Sequence, residues 1–140
     1  MFTITKQFSF SASHQLYNLP DDHPCSRLHG HNYIVEIELQ SSGLNEAGFV
    51  VDYGDLRRLK RYIDSTLDHR HLNDVTQESP TAEWLAFHLF QYSIDLWPET
   101  SAVRISETPK TWAEYRSEPK RLEDFLWPNN SDGEDDIPGQ

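Results

Sequence analysis

A single cysteine, Cys25, in a chain of 140 residues excludes an internal disulfide and leaves a thiol free to act as base, nucleophile or metal ligand. Positive charge is scarce as well: 12 Lys and Arg stand against 23 Asp and Glu, a formal charge of -11. That balance argues against a nucleic-acid surface, which needs clustered cations against phosphates, but not against a small anion held in a local basic pocket. No apolar run approaches the roughly eighteen residues of a membrane helix, and residues 1–6 lack a basic stretch followed by an apolar one. A cytoplasmic protein with no membrane partner is expected. Apolar residues make up 36% of the chain, with a mean hydropathy of -0.70, so one domain with a modest core, helped by self-association, is expected. No internal repeat is visible.

Two alternating segments dominate the first third. Phe2, Ile4, Phe8, Phe10 and Ala12 share one parity with His14, the mark of a half-buried strand ending in a histidine. His29, His31, Tyr33, Val35, Ile37 and Leu39 form the apolar parity of a second strand, with Glu36, Glu38 and Gln40 opposite. The connection from Gln15 to Leu28 is too long for a tight hairpin, and long connections of this kind are often functional. A wide hairpin would gather His14, His29 and His31 at its open end.

Leu56, Leu59, Ile63 and Leu67 form one stripe of a helix from about Asp55 to Leu67. A second helix is expected from Ser79-Pro80-Thr81, with a cap residue and an early proline, to a stop at Pro98. Strands over Ala102–Glu107 and Trp112–Arg116 follow, joined by a turn at Thr108-Pro109-Lys110. Two strands, two helices and two strands make an α+β layer: a four-stranded antiparallel sheet with both helices on one face. Beyond residue 118 the pattern decays. Leu122, Phe125, Leu126 and Trp127 suit a short docking helix, and the last twelve residues carry four acids and no base, so 119–140 reads as a largely disordered acidic extension of a domain over 1–118.

Chemistry concentrates between Cys25 and His31. Histidines two apart on a strand emerge on one side, and His14 supplies a third imidazole from the neighbouring strand. Three histidines with an open position are the ligand set of catalytic zinc. Cys25 lies in a polar loop, where a nearby metal or histidine would favour its thiolate; spacing leaves it either a zinc ligand or a base. Asp68-His69-Arg70-His71 closes the first helix, and an aspartate that orients an imidazole makes an acid/base relay. Glu107 shares parity with Val103 and Ile105, so its carboxylate points inward and needs a partner. That partner is a ligand ring edge or a cation, Arg116 rather than Arg104. Arg27 is the nearest cation for an anionic substrate tail.

Together these residues resemble the 6-pyruvoyltetrahydropterin synthase family, and its bacterial 6-carboxytetrahydropterin synthase branch in particular. The resemblance runs through Phe10-Ser11-Ala12-Ser13-His14, Cys25 to His31, Leu67-Asp68-His69 with Leu72-Asn73, Pro80-Thr81-Ala82-Glu83, and Glu107-Thr108. It implies a T-fold (tunnelling fold), whose sheets assemble into barrels, commonly as a hexameric dimer of trimers with active sites between subunits. It also implies zinc on His14, His29 and His31, Cys25 as general base, Asp68 and His69 as the proton relay, and Glu107 as the anchor of the pterin ring. Three residues between the cysteine and His-Gly-His resemble the carboxy branch; the pyruvoyl branch has five, and an aldolase-like branch has glutamate in place of the cysteine. The implied reaction converts 7,8-dihydroneopterin triphosphate to 6-carboxytetrahydropterin, acetaldehyde and triphosphate, on the way to 7-deazaguanines such as queuosine. The alternatives are the two sister activities and a zinc- or pterin-binding protein without catalysis.

Overall fold

The alternating segments fold as a long antiparallel ribbon. In the computed structural model, which describes residues 1–118, β1 (Phe2–His14) pairs with β2 (His29–Ser41) over their whole length, from Phe2 opposite Ser41 to His14 opposite His29. The expected acidic extension and the apolar group around Leu122 lie outside the described residues. β2 continues to β4 (Thr100–Thr108), which turns through Pro109-Lys110 into β5 (Thr111–Arg116). Both late strands begin slightly earlier than expected.

The sheet has five strands, not four. β3 (Arg70–His71) is a two-residue strand running parallel to β1, with Ala12 opposite Arg70 and Ser13 opposite His71, giving the order β3-β1-β2-β4-β5. Two residues carry no alternation, so periodicity cannot reveal such a strand.

Both helices cover one face. α1 (Arg57–Thr66) is shorter than expected because Tyr53–Leu56 forms a 3-10 turn, its N–H of Gly54 capped by the Asp52 side chain. All four residues of its expected stripe, Leu56, Leu59, Ile63 and Leu67, are fully buried. α2 (Ala82–Leu96) starts one step later than the proline suggested, since the Thr81 hydroxyl accepts the N–H of Trp84 and wins the cap. Pro80 therefore lies outside the helix, with its carbonyl turned elsewhere. Leu85, Ala86, Leu89 and Phe90 of α2 meet Tyr33, Val35, Ile37, Val103 and Ile105 of the sheet in one core. Among the described residues no helix is long and apolar enough to cross a membrane.

The other face of the sheet is polar, and it hides one carboxylate. Glu38 is only 5% exposed. It accepts hydrogen bonds from Arg116 (2.8 and 3.2 Å), from Ser101 (2.8 Å) and from Arg104. Arg104 also reaches Glu36 and Glu114, both at 2.9 Å. These bonds, Arg116 foremost, hold the Glu38 carboxyl down to about 2 from its usual 4.5.

Candidate metal centre

The open end of the β1–β2 ribbon carries the histidines, because register sets His14 against His29 and alternation returns His31 to the same face. The ligand atoms of the three rings lie within 4.8 Å of one another. Their centroids stand 4.4, 5.0 and 4.8 Å apart, each pair edge to face. His14 is 1% exposed, and the fully buried Tyr33 places its hydroxyl 3.3 Å from His14 Nδ1.

Backbone carbonyls decide which nitrogens face inward. His14 Nδ1 lies 2.7 Å from the carbonyl of Pro80, and His29 Nδ1 lies 2.7 Å from that of Arg27. A carbonyl only accepts, so both Nδ1 atoms carry protons and both Nε2 atoms present lone pairs. Those two Nε2 atoms are 2.7 Å apart. Facing lone pairs at that distance require a cation against them, either a proton that makes one ring an imidazolium or a metal ion. Burial, aided by the neighbouring imidazoles, holds the pKa of His14 below its ordinary value, and burial does the same to His31. A proton on His14 is thereby disfavoured, and the convergence of three imidazoles on one point fits a metal. Three neutral imidazoles suit zinc; two ligands of one tetrahedral ion stand about 3.3 Å apart, so the rings would part slightly.

Glu107 closes the corner. Its Oε2 lies 3.7 Å from His31 Nε2 and 4.0 Å from His14 Nε2. A cavity of about 360 Å³ opens beside it, walled by Gly30, His31, Ser106, Glu107, Thr108 and Pro109. Its expected cationic partner is corrected: Arg116 pairs with Glu38 and Glu114 instead. Arg116 lies opposite Ala102 in the β4–β5 register, which puts it on the polar face with Arg104, away from Glu107.

The other expected site residues stand apart from this corner within one chain. Cys25 sits in a 3-10 turn, Pro24–Ser26, its N–H capped by His23 Nδ1 at 3.0 Å, and it is not part of the histidine group. Arg27 contributes its carbonyl to His29, while the residue itself is exposed. Asp68 Oδ1 accepts the N–H of Ser11 at 3.0 Å, and Asp68 Oδ2 lies 3.0 Å from His69 Nδ1. The Ser11 N–H, then His69, keep the Asp68 carboxyl below its ordinary pKa. His69 has left-handed backbone (φ 56), uncommon for a residue with a Cβ, and its ring is 81% exposed. Among the described residues, no hydrogen bond or ion pair joins Asp68 or His69 to Cys25, Glu107 or the three histidines. Sequence reasoning did not anticipate the carbonyls of Pro80 and Arg27, since a backbone acceptor leaves no trace in residue type; Tyr33 was legible as the next inward position after His31.

An antiparallel sheet edged by one short parallel strand, two helices on one face and a three-histidine corner at the ribbon's end define a T-fold chain with a candidate metal centre. The chain belongs to the 6-pyruvoyl tetrahydropterin synthase family, whose model matches residues 3–118. It is 36% identical over 125 residues to the 6-carboxy-5,6,7,8-tetrahydropterin synthase of Synechocystis sp., covering 84% of this chain and 95% of that protein. The enzyme of the same name from Haemophilus influenzae is 32% identical over 143 aligned positions, covering 83% and 99%. Among solved structures, the 6-pyruvoyl tetrahydropterin synthase of Caenorhabditis elegans superposes with a TM-score of 0.74 at 27% identity, over 84% of this chain and 96% of that one.

Proposed function

We propose that this protein is a zinc-dependent 6-carboxytetrahydropterin synthase, taking 7,8-dihydroneopterin triphosphate and water to 6-carboxy-5,6,7,8-tetrahydropterin, acetaldehyde and triphosphate. The observation that carries this reading is the pair of inward-facing Nε2 atoms of His14 and His29, each ring held at Nδ1 by a backbone carbonyl, with His31 and Glu107 alongside. The names of the relatives from Synechocystis and Haemophilus, and the three residues between Cys25 and His29, support the carboxy branch.

Zinc held by His14, His29 and His31 would supply Lewis acidity to the hydroxyls of the substrate side chain. Glu107 offers two oxygens to adjacent N–H groups of the pterin ring, a bidentate contact that fixes the side chain at the histidines. Cys25 takes a proton as base. Asp68 holds the His69 ring by its Nδ1–H, which leaves Nε2 to carry a proton. Arg27 meets the triphosphate. The exposure of His69 supports a shared site, in which one copy's His69 faces another copy's histidine corner within a hexamer of two trimeric barrels. A cytoplasmic place early in the route to queuosine-type 7-deazaguanines goes with this reaction.

Incubation with dihydroneopterin triphosphate tests the reading. Acetaldehyde and a carboxylated pterin in equal amounts are expected; a pyruvoyl pterin or glycolaldehyde would reassign the protein to a sister activity, and no turnover with bound zinc would make it a binding protein.

A further inference from the structure

The end of β1 is held by a side chain acting as a strand. β3 pairs with β1 only as far as Ser13, yet Gln15 is not left with open backbone groups. Its N–H donates to Asn73 Oδ1 at 2.9 Å, and Asn73 Nδ2 donates to its carbonyl at 2.8 Å. One amide thus makes the two bonds a neighbouring strand residue would make. At the other end of the same short strap, Asp68 takes the N–H of Ser11, and the His69 N–H donates to the Ser11 carbonyl at 2.6 Å. Residues 68–73 are therefore fastened to β1 on both sides of its parallel pair.

Gln15 is also where the cysteine loop is tied down. Its Nε2 donates to the Ser26 carbonyl at 2.8 Å, and the next N–H, that of Leu16, donates to the Cys25 carbonyl at 2.9 Å. Three pieces meet at this residue: His14 immediately before it, the turn that holds Cys25, and the strap that holds Asp68 and His69.

We infer that Asn73 is a positioning residue, which through Gln15 sets the register of the metal corner and of the Cys25 turn. Its effect on catalysis rests on the function proposed above; its effect on metal binding does not. Asn73→Asp is nearly isosteric but sets an oxygen against the Gln15 carbonyl, and Asn73→Ala removes both bonds. Gln15→Met keeps the backbone pair and cuts only the tether to Ser26.

The test compares the full-length wild type with these three variants by thermal melting, by zinc affinity in chelator competition, by the visible band of the cobalt-loaded protein, and by kcat and KM at saturating zinc. Groups bonded directly to metal ligands are worth about 10–100-fold in affinity or activity, and Asn73, which acts one residue away through Gln15, should fall toward the lower end. Both Asn73 variants should lose zinc affinity in that range and shift the cobalt band; Gln15→Met should keep zinc affinity and lose about tenfold in kcat with little change in KM. Folded Asn73 variants with wild-type zinc affinity and an unshifted cobalt band, their loss confined to melting temperature, would overturn the inference. If neither Asn73 variant folds, Asn73→Ser, which shortens the side chain so that it no longer spans both Gln15 backbone groups, decides by the same zinc and cobalt readings, wild-type values overturning the inference; wild-type kcat in Gln15→Met would overturn the hold on the Cys25 turn. A wild type without pterin turnover would sink the proposed function, while the zinc and cobalt readings would still test the clamp.

Discussion

Replacing Glu38 by Gln should cost stability in a way that vanishes in acid. Glu38 is 5% exposed and paired with two guanidinium groups, and its carboxyl is held at about 2 rather than 4.5. At about 1.4 kcal/mol per pH unit, that depression is worth about 3 kcal/mol at neutral pH. Arg116 is 42% exposed, so water screens its share and the figure is an upper value. The group's folded pKa is depressed, so its contribution is complete above about 4.5 and is lost as pH falls toward 2. Urea unfolding followed by circular dichroism at pH 7, 5, 4 and 3 should show a wild-type advantage of about 3 kcal/mol at pH 7 that shrinks below half by pH 3. A gap of the same size at every pH, or one under about 1 kcal/mol at pH 7, would refute the view that this network holds a buried carboxylate charged.

Three further outcomes bear on the site. Cys25→Ala should lower kcat by about 10²–10⁴-fold with one zinc per chain retained; unchanged activity would remove the thiol from the chemistry. Glu107→Gln should reduce kcat/KM by about 10–100-fold, mainly through KM, as expected for loss of a charged hydrogen bond, with zinc content intact; a fall in zinc content would instead make the carboxylate a metal ligand. His69→Ala and His29→Ala should each be inactive alone, and dissociating and reassembling a mixture should restore about one quarter of sites if each site draws on two independently chosen neighbours. No recovery on mixing would place His69 and the histidine corner of one chain in the same site.

The sequence carried the sheet and helix layer well where many residues share one pattern. Two thirteen-residue strands alternate long enough to show which face each side chain takes, and that alternation alone brings His14, His29 and His31 to one corner. It failed where one or two residues decide. β3 is two residues long and is completed by the side chains of Asp68 and Asn73, so no periodicity announces it. Arg116 falls on the face away from Glu107, which parity along β5 alone does not tell and the cross-strand register opposite Ala102 does. Glu38 follows the polar parity, yet pairing with Arg104 and Arg116 buries it, which composition of a single strand does not reveal. The carbonyls of Pro80 and Arg27, which fix the tautomers at the metal corner, belong to the backbone and are invisible to residue type.

Direct metal analysis of the purified protein beside His29→Ala tests the histidine corner most directly. The expected result is one zinc per chain in the wild type and its loss in the variant, with the fold retained. An equal, substoichiometric zinc content in both would contradict the corner as a metal centre and leave the facing nitrogens of His14 and His29 to be explained by a shared proton.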